Sequence, residues 1–328
     1  MWASRRKISW LFAGIVACAG FSVFDSLAQN YPDKPIRLIV GFSSGGISDV
    51  LARLIAQKIS GPLGQQMIVE NRPGASGIIA NERVAKSPPD GYTLLIIGGS
   101  STILPALRAK MPYDLERDLA PVSLLAISPF VLVVHPSVPA RNVKELIALA
   151  KSPQHGLSYA TVGIGSPPHL MGELLQSMAK VKILRVAYKG GGDAVVALAS
   201  GEVDMYISSV PSLLPLRAAG KIRMLAVTSA KRLATFPSLP TIAESGLPGY
   251  DYANWTGLVA PAGTPKDIIA RLNAEFGKVI NAADMAETLT KKLGMVPTTS
   301  TPEQLAAFMR EMLQKNAKII KSIGLKVE

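Results

Sequence analysis

The 328-residue chain predicts an α/β protein of two domains, each a mainly parallel sheet flanked by helices, joined by a two-strand hinge with a cleft between them. Three observations predict it. Short apolar runs of β type alternate with apolar positions at helical spacing from residue 31 onward. That rhythm is broken by a long extended run at residues 122–134 and then restarts; a second extended run at 255–260 follows the restarted set. The length, at roughly 100 to 200 residues per domain, accommodates two. The βαβ order implies parallel strands with right-handed crossovers, and two extended runs flanking the second set imply that the chain leaves the first domain and returns. The expected division is 1–28 as a signal peptide, 29–126 with 256–328 as domain 1, and 127–255 as domain 2.

Residues 36–40 (IRLIV) predict a buried strand, after which Ile47, Val50, Leu51, Leu54 and Ile55 recur at helical spacing. Residues 67–69 predict a second strand and 77–84 a helix, stopped by Pro88-Pro89-Asp90-Gly91. A third strand is expected at 93–97. Beyond the run at 122–134 come a helix at 143–150, a strand at 157–160, a helix from His169, a strand at 183–187, a helix at 193–200, and strands at 203–207 and 222–228. A stretch punctuated by Pro237, Pro240 and Pro248-Gly249 leads to the run at 255–260. Three helices near 265–280, 285–293 and 302–323 finish the chain.

The first 28 residues read as an export signal. Arg5, Arg6 and Lys7 precede an uncharged, mostly apolar stretch at 8–24, and Ser26-Leu27-Ala28 offers the small residues of a cleavage site, so the mature chain would begin at Gln29. A retained membrane anchor is disfavoured because Gly14, Gly20 and Ser22 interrupt a stretch that barely reaches spanning length. Two alternatives stay open. Ile15-Val16-Ala17-Cys18 looks like a lipobox that would anchor the protein through an acylated cysteine, and Ser4-Arg5-Arg6 hints at twin-arginine rather than general export. Cys18 is the only cysteine, so cleavage after Ala28 removes both disulfides and thiolate metal sites from consideration.

A composition of 48% hydrophobic and 18% charged residues is that of a globular chain. Net charge is +12, but the cations are scattered and aromatics reach only 6%, which argues against nucleic acid and for a modest positive field suited to small anions.

Three predicted strand-to-helix turns share one construction: Gly41-Phe42-Ser43-Ser44-Gly45-Gly46-Ile47-Ser48-Asp49, Thr161-Val162-Gly163-Ile164-Gly165-Ser166 and Tyr188-Lys189-Gly190-Gly191-Gly192-Asp193. Glycine admits close backbone approach, and the free N–H groups of the following helix form an anion cradle. Ligands of parallel α/β sheets sit at such turns, beyond the carboxyl ends of the strands. Other motifs are weaker. Gly41-Phe42-Ser43-Ser44-Gly45 fits the nucleophile elbow G-x-S-x-G, but the only histidines are His135, His155 and His169, which leaves the C-terminal half without a histidine base. His169, beside Pro168, reads as a loop-ordering residue. Gly163-Ile164-Gly165 lacks the third glycine of a dinucleotide fingerprint, there is no G-x-x-x-x-G-K-[ST], and three scattered histidines make no transition-metal site.

Tyr31-Pro32-Asp33-Lys34-Pro35-Ile36, Val69-Glu70-Asn71-Arg72-Pro73-Gly74-Ala75, Pro89-Asp90-Gly91-Tyr92-Thr93-Leu94-Leu95, Tyr188-Lys189-Gly190, Gly201-Glu202-Val203-Asp204, Ala243-Glu244-Ser245-Gly246 and Trp255-Thr256-Gly257 through Pro261-Ala262-Gly263-Thr264-Pro265 resemble, in order, the signature series of the Bug family. These are extracytoplasmic solute receptors of the tripartite tricarboxylate transporter type, and the resemblance covers residues 31–328. It implies a two-domain periplasmic binding protein, a Venus flytrap, that closes on a carboxylated solute. It further implies that one carboxylate is held by backbone amides and bridging waters from residues 43–49, with Thr161, Gly163, Gly165, Ser166 and His169 opposite. Where the family often has Pro or Ala then Gly, this chain has Ser43-Ser44, a departure that bears on local hydrogen bonding and on the ligand.

The expected ligand-binding set is Phe42, Ser43, Ser44, Gly45, Gly46, Ser48, Asp49, Ser101, Thr161, Gly163, Gly165, Ser166, His169, Tyr188, Lys189, Gly190 and Asp204. No catalytic residue, metal or cofactor is expected. The function implied is capture of a small mono- or dicarboxylate in the periplasm, by a monomer, for a tripartite tricarboxylate-type permease. A receptor read by a membrane sensor and a hydrolase using Ser43 are the alternatives.

Overall fold

The computed structural model describes residues 31–325 except 153 and 155; the signal, lipobox and cleavage expectations for residues 1–29 lie outside the described residues, as does His155. β1 (Ile36–Val40) is buried almost without interruption, as a strand covered on both faces must be. α1 (Ile47–Leu63) buries Leu51, Ile55 and Ile59 at helical spacing and ends at Gly64 in the left-handed conformation. β2 (Met67–Asn71), a 3-10 turn (Ala75–Gly77), α2 (Ile78–Ala85), β3 (Thr93–Gly98) and α3 (Gly99–Leu107) lead into the sixteen-residue β4 (Leu119–Val134). Next come α4 (Val143–Lys151), β5 (Ser158–Thr161), α5 (Pro167–Ala179), β6 (Leu184–Ala187), α6 (Gly191–Ser200), β7 (Met205–Ser209), α7 (Val210–Ala218) and β8 (Arg223–Val227). The chain closes with β9 (Ala253–Pro261), α8 (Lys266–Asn281), α9 (Ala283–Glu287), a π turn (Thr288–Lys292), β10 (Val296–Pro297) and α10 (Pro302–Ile323).

Strand order is β2-β1-β3-β9-β4-β7-β5-β6, with β8 and β10 also pairing with β4. β1 runs parallel to β2 and β3, and β5 parallel to β6 and β7, so each end of the sheet is a βαβ unit. Antiparallel β9 and β4 join the two ends. Residues 119–129 of β4 pair with β9, whereas 130–134 pair with β7 and β8. The architecture is mixed α/β, with the expected extended runs realised as its two linking strands.

Two helices were not expected from periodicity. α3 and α7 each follow a strand with no polar loop between, and Pro105, Pro211 and Pro215 lie in them, so their apolar residues read as continuations of the strand or as turn. α10 starts with a capping box in which Thr301 Oγ1 accepts from the Gln304 amide and the Gln304 side chain accepts from Thr301. It packs on α3, β4 and α5, with Phe308 edge-on to buried Trp255 at 5.5 Å. No helix among the described residues is long and apolar enough to cross a membrane.

Candidate functional site

The loops after β1, β2, β3, β5, β6 and β7 converge on one cleft of about 610 Å³, at the carboxyl ends of the parallel strands. Its wall on the β1 side includes Phe42, Ser43, Ser44, Gly46 and Ser48; opposite stand Gly163, Tyr188, Lys189 and Gly190. These are the expected candidates that the fold brings together. Four helices begin at the cleft with no side-chain cap: α7 at Ser209, with Pro211 in its first turn, and α1 at Gly46, α3 at Gly98 and α6 at Gly190, with no proline there. The amides of the latter three first turns lack partners inside the helix, so three sets of N–H donors and the positive ends of their helix dipoles meet in one space.

The remaining candidates stand behind the wall, and their hydrogen bonds say why. Asp49 is 3% exposed. Its Oδ2 accepts from the Gly45 amide at 2.9 Å and from Arg53 Nε at 3.1 Å, and its Oδ1 accepts from Asn71 Nδ2 at 2.9 Å. Burial pushes its carboxyl up, but the hydrogen bonds from Arg53, Gly45 and Asn71 together hold it below the usual carboxylate range. Asp49 therefore organises the first loop, and both it and the Gly45 amide are already occupied. Asn71 completes the brace by donating to the Phe42 carbonyl at 3.0 Å.

The loop after β5 departs further from expectation. α5 starts with Pro167-Pro168, which have no N–H, and the next donor, the His169 amide, is taken by Ser166 Oγ at 3.4 Å. Ser166 Oγ also donates to the Gly163 carbonyl. The Gly165 amide donates to His169 Nδ1 at 3.3 Å, and a Cβ at Gly165 would meet Leu104 at 2.5 Å, so the Gly165 end of this turn is packed on α3 rather than open to a ligand. Burial, followed by the charge of Arg185, pushes the His169 imidazole down to about 4, leaving a neutral, loop-ordering side chain. Thr161 is buried, with its carbonyl accepting from the Tyr188 amide. Ser101 Oγ accepts from Asn81 beneath α3. Asp204 lies at the opposite end of the strands, where Oδ2 accepts from the Ser158 amide and hydroxyl at 2.7 and 2.8 Å. None of Gly45, Asp49, Ser101, Thr161, Gly165, Ser166, His169 and Asp204 lines the cleft.

Residues that sequence reading missed form the floor: Gly98, Gly99 and Ser100 at the start of α3, Ser208 and Ser209 ending β7, and Asn254 on β9. The signal for α3 was present, since Gly98-Gly99-Ser100 directly after an apolar strand repeats the construction of the other three loops. The two sides of the cleft touch at its rim. Ser76 Oγ donates to the Ile164 carbonyl at 2.9 Å, and a Cβ at Gly190 would lie 3.8 Å from Ser43 Oγ. Ser76 sits in a left-handed run, with φ of 142° at Gly74, 47° at Ala75, 54° at Ser76 and 97° at Gly77, an unfavourable backbone for Ala and Ser that presents the hydroxyl across the gap.

Arg108, Lys189 and Asp193 are the charged residues of the lining, and neither the Arg108 nor the Lys189 side chain has an ion-pair or hydrogen-bond partner among the described residues. The Tyr188 hydroxyl donates to Glu202 at 2.7 Å; burial and then this bond push it up to about 12, so it stays protonated and committed to Glu202. Among the described residues no histidine lines the cleft, and no group of three His, Cys, Asp or Glu side chains is placed to hold a metal ion.

The family model of the tripartite tricarboxylate transporter family receptor matches residues 51–325. The chain belongs to that family. The receptor is 36% identical over 315 residues to BugT of Bordetella pertussis, a match covering 95% of this chain and 96% of that one. Among solved structures it is similar to an R. palustris protein with adipate, at a TM-score of 0.87 and 37% identity, covering 91% of the receptor and all of that chain. It is also similar to MatC from Rhodopseudomonas palustris with bound malate, at a TM-score of 0.82 and 31% identity over 88% of the receptor and all of that chain. The family that the chain matches is one of transporter receptors, not of enzymes.

Proposed function

We propose that the receptor captures a small mono- or dicarboxylate in the periplasm and delivers it to a permease of the tripartite tricarboxylate type. The observation that carries this reading is the convergence of three uncapped helix starts, α1, α3 and α6, on one cleft. Each favours an anion by roughly 0.3 to 1 kcal/mol, up to about 2 when partly buried, and each amide hydrogen bond adds about 0.5 to 1.5. Several together reach the roughly 8 kcal/mol of a micromolar site. Lys189 and Arg108 at the lining add attraction for a dianion. The adipate and malate of the two related structures support the same ligand class.

In this reading residues 29–126 with 256–328 form one domain and 127–255 the other. They turn about β4 and β9, and the rim hydrogen bond of Ser76 to Ile164 belongs to the closed form. A thermal-shift screen of adipate, malate and monocarboxylates tests the proposal. A ligand at about 100 times its Kd adds roughly 2.7 kcal/mol of stability. Absence of any shift, backed by calorimetry, overturns carboxylate capture.

A further inference from the structure

Of the two helices that periodicity missed, α3 carries a buried hydroxyl without a partner. Ser100, the second residue of α3, is 4% exposed and lines the cleft, yet its Oγ has no hydrogen-bond partner. A buried hydroxyl without a partner is costly and uncommon in native structures. The polar groups of Gly99, Thr102, Asn254 and Asn316 around this turn are paired. Gly99 N–H donates to Asn254 Oδ1 at 3.2 Å, Thr102 Oγ1 donates to the Gly99 carbonyl at 3.0 Å, and Asn316 Nδ2 on α10 donates to Thr102 Oγ1 at 3.0 Å. Tyr252 OH completes the chain by donating to Asn316 Oδ1 at 2.9 Å.

Sterics pin the same turn. A Cβ at Gly98 would meet the Trp255 carbonyl at 2.8 Å, and one at Gly99 would meet Asn254 Oδ1 at 2.6 Å and Pro167 at 3.1 Å. The start of α3 is thus braced by α10, β9 and α5, while its first-turn amides beyond Gly99 and the Ser100 hydroxyl remain uncommitted. Rigid support with free donors is the construction of a preorganised binding site. Register adds placement: β3 runs parallel beside β1, with Ile96 opposite Val40, so α3 and the first loop rise from adjacent strand ends.

We propose that the start of α3 is a ligand subsite, in which Ser100 Oγ–H and the amides behind it donate to a carboxylate oxygen of the solute, beside the donors of α1. This rests on the carboxylate reading above. The test is Ser100→Ala, measured for melting temperature without ligand and for Kd by calorimetry with adipate, malate and succinate as probes. A hydroxyl poised for ligand is idle in the free protein, so its removal leaves melting within about 1 °C of wild type or raises it. A hydrogen bond to a charged group, when lost, weakens binding tenfold or more. Both results together support the subsite. Unchanged affinity overturns it while leaving carboxylate capture intact, and a lower melting temperature in the free protein overturns it by assigning Ser100 a structural bond. If the wild-type protein binds none of the three probes or any other carboxylate screened, the functional reading fails and the subsite with it.

Discussion

His169 makes the receptor acid-sensitive in a calculable way. Its ring is 3% exposed, Nδ1 accepts the Gly165 amide, and the nearest carboxylate, Glu173, stands 3.9 Å from Nε2 while also accepting from the Tyr159 hydroxyl. Burial and Arg185 lower its pKa to about 4, against an ordinary value of about 6.5. A lowered pKa means that the unfolded chain takes up the proton first. The stability this group provides is complete above about pH 6.5 and is lost as pH falls toward the folded value. Between pKa values of about 6.5 and about 4, linkage gives a loss of about 2 kcal/mol by pH 5 and about 3 by pH 4. His169→Asn keeps an acceptor near the position of Nδ1 and removes the titration. Urea unfolding at pH 8, 6.5, 5 and 4 should show the variant less stable at pH 8, from lost packing, with a deficit that shrinks by about 2 kcal/mol on going to pH 5. Wild-type and variant profiles that run parallel to within about 0.5 kcal/mol would refute the assignment of the buried neutral imidazole.

Asp49→Ala should cost about 2 to 4 kcal/mol and weaken ligand binding, because it strands the Gly45 amide, Asn71 and Arg53 at once; because the Asp49 carboxyl is lowered, the variant should also lose the part of the wild-type acid sensitivity that sets in below about pH 4. Thermal unfolding from pH 7 to pH 3 reads both effects. Ser76→Ala removes the hydrogen bond to Ile164 across the rim, worth about 0.5 to 1.5 kcal/mol. Stopped-flow release should therefore speed up by about two- to tenfold, and an unchanged rate would mean that this contact does not belong to the liganded state.

How much of this was legible in the sequence depended on whether a residue's partner was local. The β1-α1 unit could be read because IRLIV is continuous and Leu51, Ile55 and Ile59 recur at one helical face. The two linking strands were legible as overlong apolar runs bracketing a second βα series. The glycines at the start of α3 were visible, but what braces that turn comes from afar: Asn254 and Asn316 are 155 and 214 residues away from Gly99 and Thr102. The turn at 163–166 misled for the opposite reason. Its glycines suggested an open cradle, whereas Leu104 fills the space at Gly165 and two prolines remove the donors of α5. Among motifs of equal glycine content, the residues at the first two helical positions separate a cradle from a packed turn. Gly191-Gly192 leaves the donors of α6 free; Pro167-Pro168 deletes those of α5.

That distinction bears on how the cleft binds and releases its solute. A site built on a buried arginine would hold a desolvated charge whenever it was empty, at a cost of several kcal/mol. Here the wall donors are main-chain amides and hydroxyls, and the cations Arg108 and Lys189 are exposed. Among the described residues the cleft therefore carries no buried unpaired cation, and the proposed closure offers an anion the partial charges of three helices whose positions are fixed by neighbouring strands. Affinity then depends on having α1 and α3 on one side and α6 on the other engaged at the same time. If the two domains turn about β4 and β9 as proposed above, opening separates those sets and divides the attraction between them, so the motion that exposes the solute also weakens its hold.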